Sequence, residues 1–411
     1  MTRRTLEYAC AVMLAGLLAG VAGAATTLLL HWVEHLTYNY SFGTLLSGVG
    51  GSSPVRRAVG PMIGGLLAGF GWWLLRRHGD VPSLSATIAE HRQMPRWRMS
   101  IDAALQVLVV GSGASLGREG APRQLAAAMS DGGTSRWALT PRDREILLAC
   151  AAGAGLGAVY SVPLGGALFA SRILLGTWHP RAVGTALVTS SLAVAVASPV
   201  TRLEHSLAWP NPNLSYLYVF FALAIAPLSV VVGLSFERFM AAAKPKPQIR
   251  AWWVIPAVGL AGLATGIASI WYPELPGNGR SILTVSVSAD LTLTSAAVIL
   301  LLKPLLTALY LRSGAVGGLI TPALATGAAA GSVATLALNQ LAGTDIQVAA
   351  VALACAAGVL AITQRAPAFA ALFVWELARP PYWLLIVFAA TAFAAHVIRV
   401  RRERKLAIER P

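Results

Sequence analysis

Long apolar blocks alternate along this chain with short polar segments, and few polar residues interrupt the blocks. A bilayer's hydrocarbon core needs about 20 apolar residues of helix to cross it. The pattern predicts helical spans over residues 8–30, 59–75, 183–200, 217–236, 252–270, 291–311, 319–338, 348–362 and 383–400. Shorter apolar stretches at 101–110 and 122–129 predict helices that need not cross alone. The block 146–175 carries Pro163, which removes a hydrogen bond and clashes inside a helix, so two helices broken near Ser161 are expected. Residues 131–145, with Gly132, Gly133 and Pro141, read as a loop. Alternating strand patterns do not recur, and helices remain the way to satisfy a backbone in lipid.

Composition agrees with this reading. Of 411 residues, 56% are hydrophobic and 12% charged, about half the charge of a soluble domain. The 39 glycines suit helices that pack closely in lipid. A net charge of +15 could suggest nucleic acid, but the basic residues sit in short clusters between apolar blocks. Arg76 and Arg77, 92–98, 244–250 and 399–405 are such clusters, the pattern of cytoplasmic loops that face anionic lipid. No basic, aromatic-rich module points to nucleic acid. Both termini are expected to be cytoplasmic, in a multi-pass protein of the cell membrane; Arg56 and Arg57 fall on the expected outer side and count against the scheme. Cys10, Cys150 and Cys355 form no paired spacing, and His31 and His35 lack further ligands, so no metal or cofactor is expected.

The chain also repeats itself. When Pro163 is laid over Pro367, Ala152, Leu156, Ala167, Leu168 and Phe169 fall on Ala356, Leu360, Ala371, Leu372 and Phe373. Loop charge puts the two halves in opposite orientations, which is an inverted-topology repeat with broken helices meeting at mid-membrane. The fold class expected is all-α and polytopic: one repeat over 1–205, a second over 206–400, and a short basic tail at 401–411.

Glu119 stands in GREGAP, residues 117–122, between apolar blocks. A surface loop would let it pair with Arg118; at membrane depth an ionisable group marks a functional site. Three glycine- and proline-rich interruptions, at 79–83, 117–124 and 313–322, each open a helix. Helix N-termini carry unpaired N–H groups and receive anions without a full buried cation.

These stretches resemble the CLC family of chloride channels and chloride/proton antiporters, from about residue 8 to 400. GREGAPRQ is similar to the family's gating motif, with Glu119 at the gating glutamate and Gln124 retained. SGAVGGLITP is similar to its second anion motif, and SVPLGGALFASR and RAPAFAALFVWE to its paired broken helices. The resemblance implies a homodimer that carries chloride or a similar anion. Gly79, Asp80, Arg118, Gly120, Gly317, Gly318, Leu319 and Ile320 would line the anion path, with the amides of Leu319 and Ile320 helping to hold the ion. Departures are expected to matter. Gly79 replaces the family's anion-contacting serine, Asp80 adds a negative charge, and the C-terminal tyrosine has no counterpart. Arg172 and Ile173 stand where antiporters place an inner proton-accepting glutamate, so tight proton coupling is not expected. Other readings are a fluoride transporter, a carrier of a small organic anion and, less supported, a membrane enzyme.

Overall fold

The computed structural model describes residues 3–90, 93–201, 207, 209–210 and 217–408. The expected repeat boundary at 205/206, Arg92 and the end of the basic tail lie outside them. Seventeen α-helices follow one another in the described chain. The first half holds α1 (Arg3–Tyr38), α2 (Leu45–Gly51), α3 (Pro54–Arg77), α4 (Leu84–Ala89), α5 (Arg96–Gly111), α6 (Gly120–Gly133), α7 (Pro141–Tyr160), α8 (Pro163–Leu168) and α9 (Pro180–Thr201). A π-helical turn, Phe169–Leu174, extends α8. The second half holds α10 (Leu217–Ala243), α11 (Val254–Ala268), α12 (Arg280–Ser288), α13 (Leu293–Arg312), α14 (Ile320–Ala342), α15 (Val348–Gln364), α16 (Pro367–Ala378) and α17 (Leu384–Ile408). Seven of the described helices are long and apolar enough to cross a membrane.

The two breaks built around proline are made alike. α7 ends on Ser161 at φ 55° and α8 begins on Pro163; α15 ends on Arg365 at φ 54° and α16 begins on Pro367. A left-handed residue turns the chain, and proline at the first helical position suits a helix start because its missing N–H is an orphan there anyway. The short helices then pack on each other, with Phe169 edge-on to Phe369 at 5.8 Å.

Three expectations need correction. α1 continues eight residues past the predicted end at Leu30, to Tyr38, because Glu34 turns inward and accepts from the Tyr40 hydroxyl at 3.3 Å. The loop expected over 131–145 shrinks to 134–140. Asp131 is buried on α6 between Arg96 and Arg144, and the Thr140 side chain caps α7 by accepting from Asp143 N at 3.1 Å. α12 lies where no helix was expected, since its run of 9 residues is too short to read as a span. Arg56 and Arg57, at odds with loop charge, cap backbone instead. Arg56 donates to the carbonyls of Leu36 and Thr37 at the end of α1, and Arg57 to those of Gly50, Ser52, Ser269 and Ile270. Cations are stabilised at helix C-termini by the partial negative charge there.

Glycine sets how closely the halves approach. A Cβ on Gly65 of α3 would lie 2.5 Å from the Val258 carbonyl of α11, and one on Gly69 2.9 Å from Ile255 Cα. Reciprocally, Gly262 and Gly266 of α11 lie against the carbonyls of Pro61 and Arg57. Four-residue spacing puts each pair on one face, so the backbones touch along a stripe. α14 and α15 pack the same way, with Gly327 and Gly331 each 2.7 Å, measured from an added Cβ, from the Cα of Ala356 and Ala352. Replacing Gly262 with alanine is expected to force α3 and α11 apart and to cost about 1–3 kcal/mol. A lower thermal unfolding midpoint of the detergent-solubilised protein would register it.

Candidate functional site

Two loops of matching form meet at the centre. α5 ends at Gly111 and is followed by Ser112, Gly113 at φ +111° and Ala114; α13 ends at Arg312 and is followed by Ser313, Gly314 at φ +91° and Ala315. Ala114 N donates to Val109 O and Ala315 N to Tyr310 O, each at 3.0 Å. Both glycines take a left-handed conformation that a side chain would strain. The loops then pair across the halves: Gly117 N donates to Gly318 O and Gly318 N to Gly117 O, both at 2.8 Å.

Beyond this pair, α6 and α14 start. Glu119 is the N-cap residue of α6, yet its side chain makes no cap bond there. It reaches over the glycine pair to the N-terminus of α14. Its Oε1 accepts from Ile320 N at 2.5 Å and Thr321 N at 3.1 Å; its Oε2 accepts from Thr321 Oγ1 at 3.0 Å and the Tyr160 hydroxyl at 3.2 Å. Asn278 Nδ2 donates in turn to the Tyr160 oxygen at 3.4 Å. A Cβ on Gly117 or Gly318 would collide with the carboxylate, which explains the glycine at both positions. Glu119 is 0% exposed. Amides at a positive helix end and two hydroxyls hold it, which is the environment a small anion would need.

Cations ring the site at one remove. Lys303, fully buried on α13, donates from Nζ to the carbonyls of Gly277 at 2.7 Å and Leu275 at 3.0 Å. Arg118 donates to Val159 O and lies 4.9 Å over the Tyr160 ring, and Arg123 Nε donates to the Glu119 carbonyl at 2.8 Å. A cavity of about 280 Å³ approaches from the side of the 244–250 cluster and reaches Gly120 and Gly317. Residues 81–85, 314–317, Arg76 and Lys244 line much of it.

The structure therefore brings Glu119, Gly120, Gly317, Gly318 and Ile320 together. Leu319 is the N-cap residue of α14, and the second amide on the carboxylate comes from Thr321. Gly79 and Asp80 lie elsewhere. Gly79 has φ +127° with the Arg98 guanidinium against it, and Asp80 is ion-paired to Arg250 at 2.8 Å in an exposed loop. The Arg250 hydrogen bond holds the Asp80 carboxyl below the usual carboxylate range. Arg172 lies 4.6 Å over the Trp178 ring, and Ile173 packs at the edge of the apolar core.

Sequence reasoning missed Tyr160, Thr321, Asn278 and Lys303. Lys303 carried a signal, a lone lysine inside an apolar block; the hydroxyls and Asn278 carried none.

Comparison with known proteins matches residues 64–399 to the family model for the voltage-gated chloride channel. The chain belongs to the CLC family. A CLC relative, the voltage-gated ClC-type chloride channel ClcB of Escherichia coli strain SMS-3-5 / SECEC, is 30% identical over 380 residues, 88% of each chain. Among solved CLC structures, that of a slow cyanobacterial Cl-/H+ antiporter aligns with TM-score 0.76 at 21% identity, covering 98% of both chains. A CLC-type fluoride/proton antiporter aligns with TM-score 0.73 at 21% identity, covering 97% of this chain and 96% of that one. The CLC match includes both central loops, Tyr160 and Lys303.

Gly318→Ala is expected to lower thermal stability by driving the Glu119 carboxylate off α14. Glu119→Ala in the same chain should restore much of the loss, because contacting residues do not act additively. Thermal unfolding of the single and double variants measures the coupling.

Proposed function

We propose that this protein carries chloride or a similar anion across the cell membrane, and that Glu119 gates the path. The observation that carries the reading is the carboxylate itself, an anion seated on the amides of Ile320 and Thr321 at the start of α14. An ionised Glu119 competes with a mobile anion for those donors; a protonated one surrenders its claim and leaves. Arg118 and Arg123 keep the surroundings positive when it does. The 280 Å³ cavity supplies the inner approach, and its basic rim at 244–250 favours a cytoplasmic position for it. Under the same rule both termini are cytoplasmic. The assembly proposed is a homodimer with a path in each subunit, joined through the α8 and α16 region, whose small residues favour close packing in lipid.

Glu119→Gln keeps the shape of the protonated acid without its charge. Anion efflux from liposomes at neutral pH is expected to rise about tenfold, the scale of a lost charge-assisted hydrogen bond. It should also stop responding to the pH of the outer solution. Unchanged efflux and an unchanged outer-pH response would remove Glu119 from the gate. Fluoride and nitrate as competitors in the same assay identify the preferred ion.

Transport is proposed to run without tight coupling to protons. A proton needs titratable groups or water at membrane depth. Ile173 cannot titrate, and its neighbour Arg172 stays charged throughout the accessible pH range. A chloride gradient imposed at equal pH is expected to move chloride and leave the internal pH of proteoliposomes without uphill proton flow. Proton movement at a fixed ratio to chloride would contradict this.

A further inference from the structure

The inner cavity has a carboxylate in its wall, which is unexpected on an anion path. Asp102 of α5 is 3% exposed and lines the cavity beside Gln106, Gly120 and Gln124. Its Oδ1 accepts from Trp72 Nε1 at 2.8 Å; its Oδ2 accepts from Gln106 Nε2 at 2.8 Å and Gln124 Nε2 at 3.2 Å. The second Gln106 amino hydrogen reaches Gln124 Oε1 at 3.0 Å. Gln106 Oε1 is then left over. It is buried, has no hydrogen-bond partner, and lies against Gly120, the first residue of α6, where an added Cβ would strike it. An unmatched buried acceptor is costly. Here it also turns a lone pair toward the start of a helix whose N-terminus favours negative charge.

The charged surroundings of Asp102 are few. α3 presents Trp72 and Arg76, the latter donating to the carbonyls of Ile249 at 3.1 Å and Gly314 at 2.8 Å. α6 presents Gln124 and Arg123, and the segment after α10 presents Lys244 and Gln248 to the same cavity. α1 meets α5 at the other end, through Leu30 and Val33 against Gly111.

We propose that the Gln106 amino group is an anion ligand of the inner cavity, and that a proton on Asp102 is what turns it there. A proton taken from water on the cavity side and placed on Oδ2 makes that oxygen a donor. Gln106 then accepts through Oε1, Gln124 turns with it, and the Gln106 amino group faces Gly120 and the cavity. The same proton removes a negative charge from the wall. The cavity passes from acceptor-lined and repulsive to donor-lined and receptive, and the proton returns to the side it came from. This rests on the transport reading only for its place on a conduction path.

The test is chloride binding to the detergent-solubilised protein by calorimetry, in a Glu119→Gln background that removes the gate's own titration. Apparent affinity should rise about tenfold between about pH 8 and about pH 5, the scale of one charge-assisted hydrogen bond gained. Asp102→Asn, added to that background, should hold the affinity at the acid value across the range. Gln106→Leu, which leaves Asp102 in place, should shrink the rise to the part that comes from the lost negative charge alone. A pH response retained in the Asp102→Asn protein overturns the proposal. Should that protein fail to assemble, a response of undiminished size in the Gln106→Leu protein overturns it equally. Absence of chloride binding in the background itself would also overturn it. Binding that follows pH while liposome flux is absent would instead sink the transport reading and leave this one standing.

Discussion

The site depends on a backbone contact between the halves, the reciprocal bonds of Gly117 and Gly318. Two N–H groups and two carbonyls at the depth of a membrane must find partners, since lipid offers none. Pairing them across the halves satisfies all four and fixes α6 and α14 relative to each other. Only then does a carboxylate on the cap of one helix reach the amides of the other. Glycine at both positions follows directly, because any side chain would occupy the space that Glu119 fills. The fold and the seat of Glu119 therefore share one geometric requirement.

Much of this was legible in the chain. Apolar block length gave seven of the nine expected spans, those at 252–270 and 348–362 folding as helices of 15 and 17 residues; Pro163 and Pro367 gave the paired breaks, and the lone acid in GREGAP marked the centre. The failures have physical causes. Residues 131–145 are polar enough for a loop, yet Asp131 is buried because Arg96 and Arg144 converge on it from different elements. Arg56 and Arg57 looked like topological signals, but their charges are spent on the carbonyl ends of helices remote in sequence. Asp80 pairs with Arg250, 170 residues later, a partner that could not be seen beside it in the chain. Tyr160 and Asn278 are common residue types whose meaning lies wholly in what they touch.

The polar residues buried in this membrane protein fall into two kinds. Some close backbone ends; Arg76 and Lys303 donate to carbonyls. Others bind one another through groups with alternative arrangements, as Asp102, Gln106 and Gln124 do. The first kind is rigid because a carbonyl can only accept. The second can exchange donor for acceptor at no change in shape, so it is where a response to solution conditions can reside in a tightly packed interior.

The seat of Glu119 has a mechanical consequence. Its side chain belongs to the first half and its amides to the second, so the seated carboxylate is itself a crosslink between them. Unseating it removes that crosslink and leaves the halves joined by other contacts, among them the glycine pair, the stripe between α3 and α11 and the packing of α8 on α16. The position of the Glu119 side chain and the stiffness between the halves are thus linked, and each must bias the other by the same free energy. Whatever strains the seam between the halves, including a bilayer of unsuitable thickness, therefore acts on the seat of Glu119 as well.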